Sequence, residues 1–334
     1  MWLLNSPIGS YLVQNIIHSF ITILIIERAI RIWDIRNPLA LFRYRLMTLI
    51  LPISMFPLYS LVNQHRGSLQ FREQTALFSM NRWLGLELWD MVPLRLLFLL
   101  ILGSTAAVFF MQEIIPIVRD YGRKDTIASG GQQLPPDPAI DAMVTELSET
   151  LGIEKPPVSI IKDQGPVIVT TGSRNHSIII SSGLLNKLDT EQCRCALAHE
   201  LAHIVRRSNA TTWIVFIVRI LMFFNPIALI VFRKIVQDDE HICDDITISL
   251  TKKPQVLAST LKVFYASPGE SKQAPGGRIR AIKDEIWQHS HNLLLMERIT
   301  RLEQNSDTAH NSSFKWGAFL VTISVIVIIN YFVV

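Results

Sequence analysis

Apolar residues in this chain gather into four long runs. Tyr11–Ile26 holds no strongly polar residue beyond Gln14, Asn15 and His18, and Leu46–Val62 is uncharged. Leu96–Phe110, continued to Val118, carries a single charge, Glu113; Trp316–Val334 runs 19 residues with none. Each approaches the ~20 residues a helix needs to cross hydrocarbon. Positive charge follows the first run instead of preceding it, and no small-residue cleavage site closes it. It therefore reads as a retained span, not a cleaved leader.

The flanking charges orient these runs. Met1–Ser10 has no Lys or Arg, whereas Arg28, Arg31, Arg36, Arg43 and Arg45 follow the first run. Arg66, Arg72 and Arg82 are spread over the longer loop after the second run, and Arg119, Arg123 and Lys124 follow the third. Basic loops stay in the cytoplasm. This predicts both termini outside and a cytosolic region over about 119–315.

The polar pattern changes past residue 125. "TIASGGQQLPPDP" (126–138) reads as a loop that opens a domain. Ala139–Leu151 has helical periodicity, with Gly152 as its stop. β-branched runs at 157–161, 166–170 and 177–181 are broken by turn residues, with "GSRN" (172–175) between the last two. "SGLLNKL" follows as a short helix or turn. Asp189 then opens a helix, with Gln192 in capping-box spacing. The predicted fold class is an α+β membrane protein with about four transmembrane helices. Three spans lie in 1–120 and one in 316–334. A cytosolic domain over 121–315 has a small β-sheet leading into a long helix, and includes an apolar helical hairpin over 210–235.

That long helix carries "ALAHELAHIVRRSN" (196–209). His199 and His203 share one face, one turn apart, and both imidazoles can reach one Zn²⁺. Glu200 is positioned to take a proton from a zinc-activated water. Two histidines also meet by chance on ordinary helices, so the reading needs a third ligand. Glu240, in "DDEHICDDI" (238–246), supplies it from a second helical stretch. It completes a His₂Glu set with an open fourth position. Asp244, one turn on, is placed to hydrogen-bond a ligand histidine. Asp238 and Asp239 fit a solvated charge cluster.

The metal set decides a fifth apolar run. Trp213–Phe232 is apolar except for Arg219 and Asn225, and contains Pro226. His203 and Glu240 flank it and must lie on one side of the membrane, which excludes a single crossing. Two antiparallel arms turning at Asn225–Pro226 are expected, since the residue before proline disfavours the α conformation. Arg219 then needs a protein or headgroup partner.

An extended substrate is expected beside "NHSIIIS" (175–181), pairing with Ser177, Ile178, Ile179 and Ile180 by strand addition. A plain core strand is the competing reading. His289, His291, Arg298 and Tyr265 are candidate oxyanion donors, with a structural role the favoured reading for each.

Composition narrows the class. Of 334 residues 49% are hydrophobic and only 18% charged, against about a quarter charged in soluble domains. A wholly soluble protein is excluded. The net charge of +4 sits beside apolar runs and not in patches suited to nucleic acid, so no nucleic-acid partner is expected. Three cysteines, Cys193, Cys195 and Cys243, offer no disulfide framework and suit a reducing compartment. Cys193 and Cys195 fall on different helix faces, which argues against a second zinc site there.

His199-Glu200-Leu201-Ala202-His203, "FFNP" at 223–226 and Glu240-His241-Ile242-Cys243-Asp244 resemble the integral-membrane gluzincins of the β-lactam sensor and signal-transducer type. "SIIISSGLLNKL" (177–188) and "MERITRLEQ" (296–304) add to the likeness. CAAX-prenyl endopeptidases and heat-shock membrane peptidases are similar cousins. The resemblance spans about 135–305; the first 120 residues match only as several spans before a protease domain. It implies a zinc endopeptidase of the bacterial inner membrane, one Zn²⁺ per chain, with His199, His203 and Glu240 as ligands and Glu200 as base. It also favours a supporting role for Arg298. In the antibiotic sensors a penicillin-binding domain follows the last span; here the sequence stops at Val334. A signal is therefore expected through the 63–93 loop, a separate sensor protein or the substrate.

Three functions follow. One is regulatory proteolysis of a cytosolic or membrane-proximal protein, such as a transcriptional repressor. Another is general quality control or prenyl-type maturation. The third is non-proteolytic signalling around a structural metal, against which Glu200 argues, because a structural zinc does not need it.

Overall fold

The computed structural model describes residues 7–79, 84, 86–88, 92–115, 133–135, 137–171, 176–207, 210–266, 295–304 and 314–334. In chain order its main helices are α1 (Pro7–Ile32), α2 (Pro38–Val62), α3 (Leu94–Phe109), α4 (Pro138–Leu151), α5 (Thr190–Arg207), α6 (Ala210–Leu221), α7 (Pro226–Thr251), α8 (Pro254–Ala266) and α9 (Trp316–Tyr331). A further helical segment covers 295–304. The strands of the larger sheet are β1 (Gln133–Leu134), β2 (Val158–Ile161), β3 (Ile168–Thr171) and β4 (Ser177–Ser181). The chain forms two units: Met1–Gly122, Trp213–Asp239 and Asn311–Val334 in the first, Arg123–Thr212 and Glu240–His310 in the second.

In the first unit, α1 and α2 are long and apolar enough to cross a membrane, while α3 and α9 are shorter apolar helices of 16 residues each. α3 runs on through a π turn, Phe110–Ile114. The apolar run at the end of the sequence is longer than its helix. Beyond Tyr331 the backbone leaves the helix and pairs with another segment, Leu77 N donating to Phe332 O at 2.9 Å and Val334 N to Phe78 O at 2.8 Å.

α1 buries polar side chains beside apolar ones such as Val13, Ile16 and Ile26, and exposes large apolar residues. Gln14, Asn15, His18, Ser19 and Thr22 are buried, whereas Phe20 and Leu24 are exposed. Buried polar residues facing protein, with large apolar residues facing out, suit a helix whose outer face meets hydrocarbon. Asn225 Nδ2 donates to Asn15 Oδ1 at 2.9 Å and to Ser19 Oγ at 2.8 Å. Its Oδ1 accepts from the backbone N–H of Ile227 and Ala228, capping α7, with Pro226 as the first helical residue. The turn at Asn225–Pro226 thus joins α6 to α7. α7 continues to Thr251, well past the 210–235 hairpin expected from apolar pattern alone. Arg219 lies 4.6 Å from the Phe109 ring centroid and 5.3 Å from that of Phe232, which gives the guanidinium aromatic partners.

One expectation is overturned. Asp238 is not part of a solvated cluster: it is 2% exposed and pairs with Arg45 Nη1 at 2.5 Å. A carboxylate buried to that degree needs such a partner.

In the second unit the sheet order is β1-β2-β4-β3. β4 runs parallel to β2 and antiparallel to β3; β1 is antiparallel to β2. Asp137 caps α4 through Ala139 N, and Gly152, at φ +66°, ends it in the left-handed region. Ile160, Ile178 and Ile180 pack with Val144 and Leu147 of α4 and with Leu197, Leu201 and Ile204 of α5. Asp189 N donates to Gln192 Oε1 and Gln192 N to Asp189 Oδ1, a reciprocal capping box that starts α5. Cys193 joins the sheet-side cluster, and Cys195 the cluster formed with Leu257, Leu261, Ile299 and Leu302. The 126–132 part of the linker, the GSRN turn, the 267–278 loop and residues 279–294 lie outside the described residues.

Candidate metal centre

α5 presents His199 and His203 one turn apart, and α7 presents Glu240 opposite them. His199 Nε2 is 3.5 Å from Glu240 Oε2, and His203 Nε2 is 3.6 Å from Glu240 Oε1. The imidazoles stand nearly perpendicular, at 86°, with centroids 4.8 Å apart. Donor atoms held ~2.1 Å from a tetrahedral ion lie about 3.4 Å from one another. The spacing of these three side chains therefore fits a single zinc-sized cation. Their donor atoms all lie within 4.8 Å of one another.

A second layer supports the three. His199 Nδ1 is 3.3 Å from Asp244 Oδ1, and the Asp244 side chain is fully buried. Arg298 donates to both Asp244 oxygens and, through Nη1, to Glu240 Oε2 at 2.8 Å. Its Nη2 also lies 3.3 Å from His199 Nε2. His203 Nδ1 is 3.4 Å from Cys243 Sγ. Glu200 accepts a hydrogen bond from Thr170 Oγ1 at 2.6 Å.

Burial opposes charge here, and the neighbours overcome it. Burial lowers the His199 pKa, but the Asp244 and Glu240 carboxylates raise it to about 9. Burial raises that of Glu240, yet the contact with His199 and the charge of Arg298 hold it down to about 2. Burial likewise works against Asp244, while Arg298 and His199 keep it far below the usual carboxylate range. Arg298, opposed by burial, is held firmly protonated by Asp244 and Glu240.

Some expected site residues stand elsewhere. Ser177, Ile178, Ile179 and Ile180 were expected to offer an edge, but β4 is paired on both sides, with β2 and with β3. Its backbone groups are spent on those ladders, and the edge strands of the sheet are β1 and β3. Arg298 directs its donors to Asp244 and Glu240, contacts that hold those two side chains. His289 and His291 lie outside the described residues, as does the side chain of Tyr265. Thr170 was not anticipated: in "PVIVT" nothing distinguishes it from a strand-filling residue.

Two imidazoles and a carboxylate converge on one point, with a further carboxylate next in sequence to the first histidine, a group that could hold a metal ion. The chain belongs to the BlaR1 peptidase M56 family, which it matches over residues 89–261. It is 29% identical over 150 residues to a Protease HtpX homolog of Herminiimonas arsenicoxydans, covering 41% of this chain and 50% of that protein. It is 28% identical over 118 residues to Protease HtpX homolog 2 of Methanosarcina mazei, covering 34% and 38% respectively. The chain thus spans half or less of the length of these curated relatives. A crystal structure of S. mikatae Ste24p aligns over 78% of this chain and 76% of that one, at 16% identity and a TM-score of 0.32.

Proposed function

We propose that this protein is an integral-membrane zinc endopeptidase that cleaves cytosolic or membrane-proximal proteins in regulatory proteolysis. The observation that carries the reading is the approach of His199 Nε2 and His203 Nε2 to the two carboxylate oxygens of Glu240, at 3.5 and 3.6 Å. Zinc bound by these three residues supplies an acidified water and a Lewis acid for the scissile carbonyl.

The chain's own groups do the rest. Asp244 accepts the Nδ1 proton of His199, which leaves Nε2 free to ligate. Arg298 offsets the charge of the two acids and keeps them ionised. Glu200 takes a proton from the attacking water and delivers it to the leaving amine. A substrate segment lies extended along the open edge of β3, where main-chain hydrogen bonds align it.

In this reading α1, α2, α3 and α9 span the membrane, and the arms around Asn225–Pro226 form an apolar hairpin. The excess of Arg after α1 supports a cytosolic active site with both termini outside. A transcriptional repressor is the substrate class favoured for signalling, with the stimulus arriving through the 63–93 loop or a separate sensor protein.

The test compares cleaved protein fragments in cells that carry the wild type with those in cells that carry Glu200→Gln. A fragment present only with the wild type is expected; indistinguishable fragment sets contradict the proposal.

A further inference from the structure

Thr170 introduces a hydroxyl into an apolar layer. Its register partner on β4 is Ile178, and the neighbouring pair is Ile168 with Ile180. Alternate residues of a strand share a face, so Thr170 and Ile168 face the same side as Ile178 and Ile180, which are buried against α5. Thr170 is itself only 4% exposed. Valine has the same shape and would fill this position without a polar atom. A hydroxyl here is costly unless it is hydrogen-bonded. Its bond goes to Glu200 Oε2 at 2.6 Å, in the short range of charge-assisted O–H···O⁻ bonds. β3 is also one of the two edge strands of the sheet among the described residues.

We infer that Thr170 is a positioning residue for Glu200: it anchors one carboxylate oxygen and leaves the other to move the proton. The base is thereby aimed from the same strand along which the substrate is aligned. This inference rests on the peptidase reading above. A base misplaced by a fraction of an ångström loses rate without losing affinity, which sets the kinetic signature.

The test uses the full-length, zinc-loaded protein in detergent micelles, with fluorescein-labelled casein as probe. Thr170→Val is expected to lower kcat roughly 10- to 100-fold, the value of a hydrogen bond to a charged group. KM and zinc content stay unchanged. Thr170→Ser, which keeps the hydroxyl and loses the methyl, restores most of the rate. A packing role gives the reverse order, with Val active and Ser impaired, and would overturn the inference.

A second arm needs no substrate. Thermal stability is measured for the wild type, Thr170→Val, Glu200→Ala and the double variant. Non-additive effects are expected from two residues in contact; additive effects overturn the inference. If the wild type leaves casein intact, broad peptidase activity is contradicted, and the stability cycle still decides whether Thr170 and Glu200 are coupled, additive effects overturning the inference.

Discussion

Arg298 and Asp244 form a bidentate ion pair, Nε to Oδ2 at 2.9 Å and Nη2 to Oδ1 at 2.6 Å, around a fully buried carboxylate. The same guanidinium reaches Glu240, and the same carboxylate reaches His199. One pair therefore links α7, the 295–304 segment and both kinds of side chain proposed to bind the metal. Removing one member of a buried pair costs about 3–5 kcal/mol, because the other charge is left uncompensated. Asp244→Ala should lower the melting temperature by several degrees. It should also weaken zinc binding about 10- to 100-fold, as loss of a carboxylate behind a ligand histidine does. Thermal unfolding and chelator competition measure the two effects.

Ligand and base variants should separate cleanly. His203→Ala and Glu240→Ala each remove a donor from a three-residue set, and purified protein should lose nearly all its zinc by elemental analysis. Glu200→Gln should keep its zinc, since the Glu200 carboxylate is engaged with Thr170 and is not one of the three converging donors. Loss of zinc from Glu200→Gln would mean that the base has been misassigned.

Zinc affinity should rise with pH. Its neighbours hold His199 protonated up to about 9, and Glu240 ionised down to about 2. A divalent ion ligated by His199 must displace its proton, whereas Glu240 has none to lose. Below about 9, each unit of acidification should weaken apparent affinity by up to about tenfold, and the slope should flatten above it. Titration against a chelator of known pH dependence, between about pH 6 and 8, measures the slope. An affinity independent of pH across that window would contradict the proton count.

Gly183 should tolerate no side chain. A Cβ there would stand 2.1 Å from the backbone oxygen of Gln164 and 2.4 Å from its carbonyl carbon, so the β2–β3 connection itself would have to move. Gly183→Ala should destabilise the second unit by about 1–3 kcal/mol, the usual cost of overpacking. Proteolytic sensitivity of that unit reports the effect, and a variant as resistant as the wild type would refute it.

Local chemistry made much of this readable from sequence. The Asp189/Gln192 box, the Gly152 stop and the Asn225–Pro226 turn depend on residues a few positions apart, and each stands close to where the pattern puts it. His199, Glu200 and His203 were legible for the same reason, since one helix turn fixes their spacing. Glu240 needed chemistry as well as pattern: only the demand for a third ligand singled it out among five nearby acids. Relations set by tertiary pairing were hidden. A run such as Ser177–Ser181 reads alike whether its edges are open or paired, so β4 was mistaken for the open edge. Asp238 resembles its neighbour Asp239 until Arg45 is brought beside it from 193 positions away. Thr170 is indistinguishable from the other β-branched residues around it until α5 packs against β3.

The identity of the atoms around the metal decides most directly whether this is a His₂Glu zinc site. X-ray absorption at the zinc edge of the purified full-length protein should show two imidazole nitrogens and oxygen donors at about 2.0–2.2 Å, at one zinc per chain. A sulfur shell at about 2.3 Å, which would bring Cys243 into the coordination sphere in place of Glu240, or protein that retains no zinc at all, would contradict it.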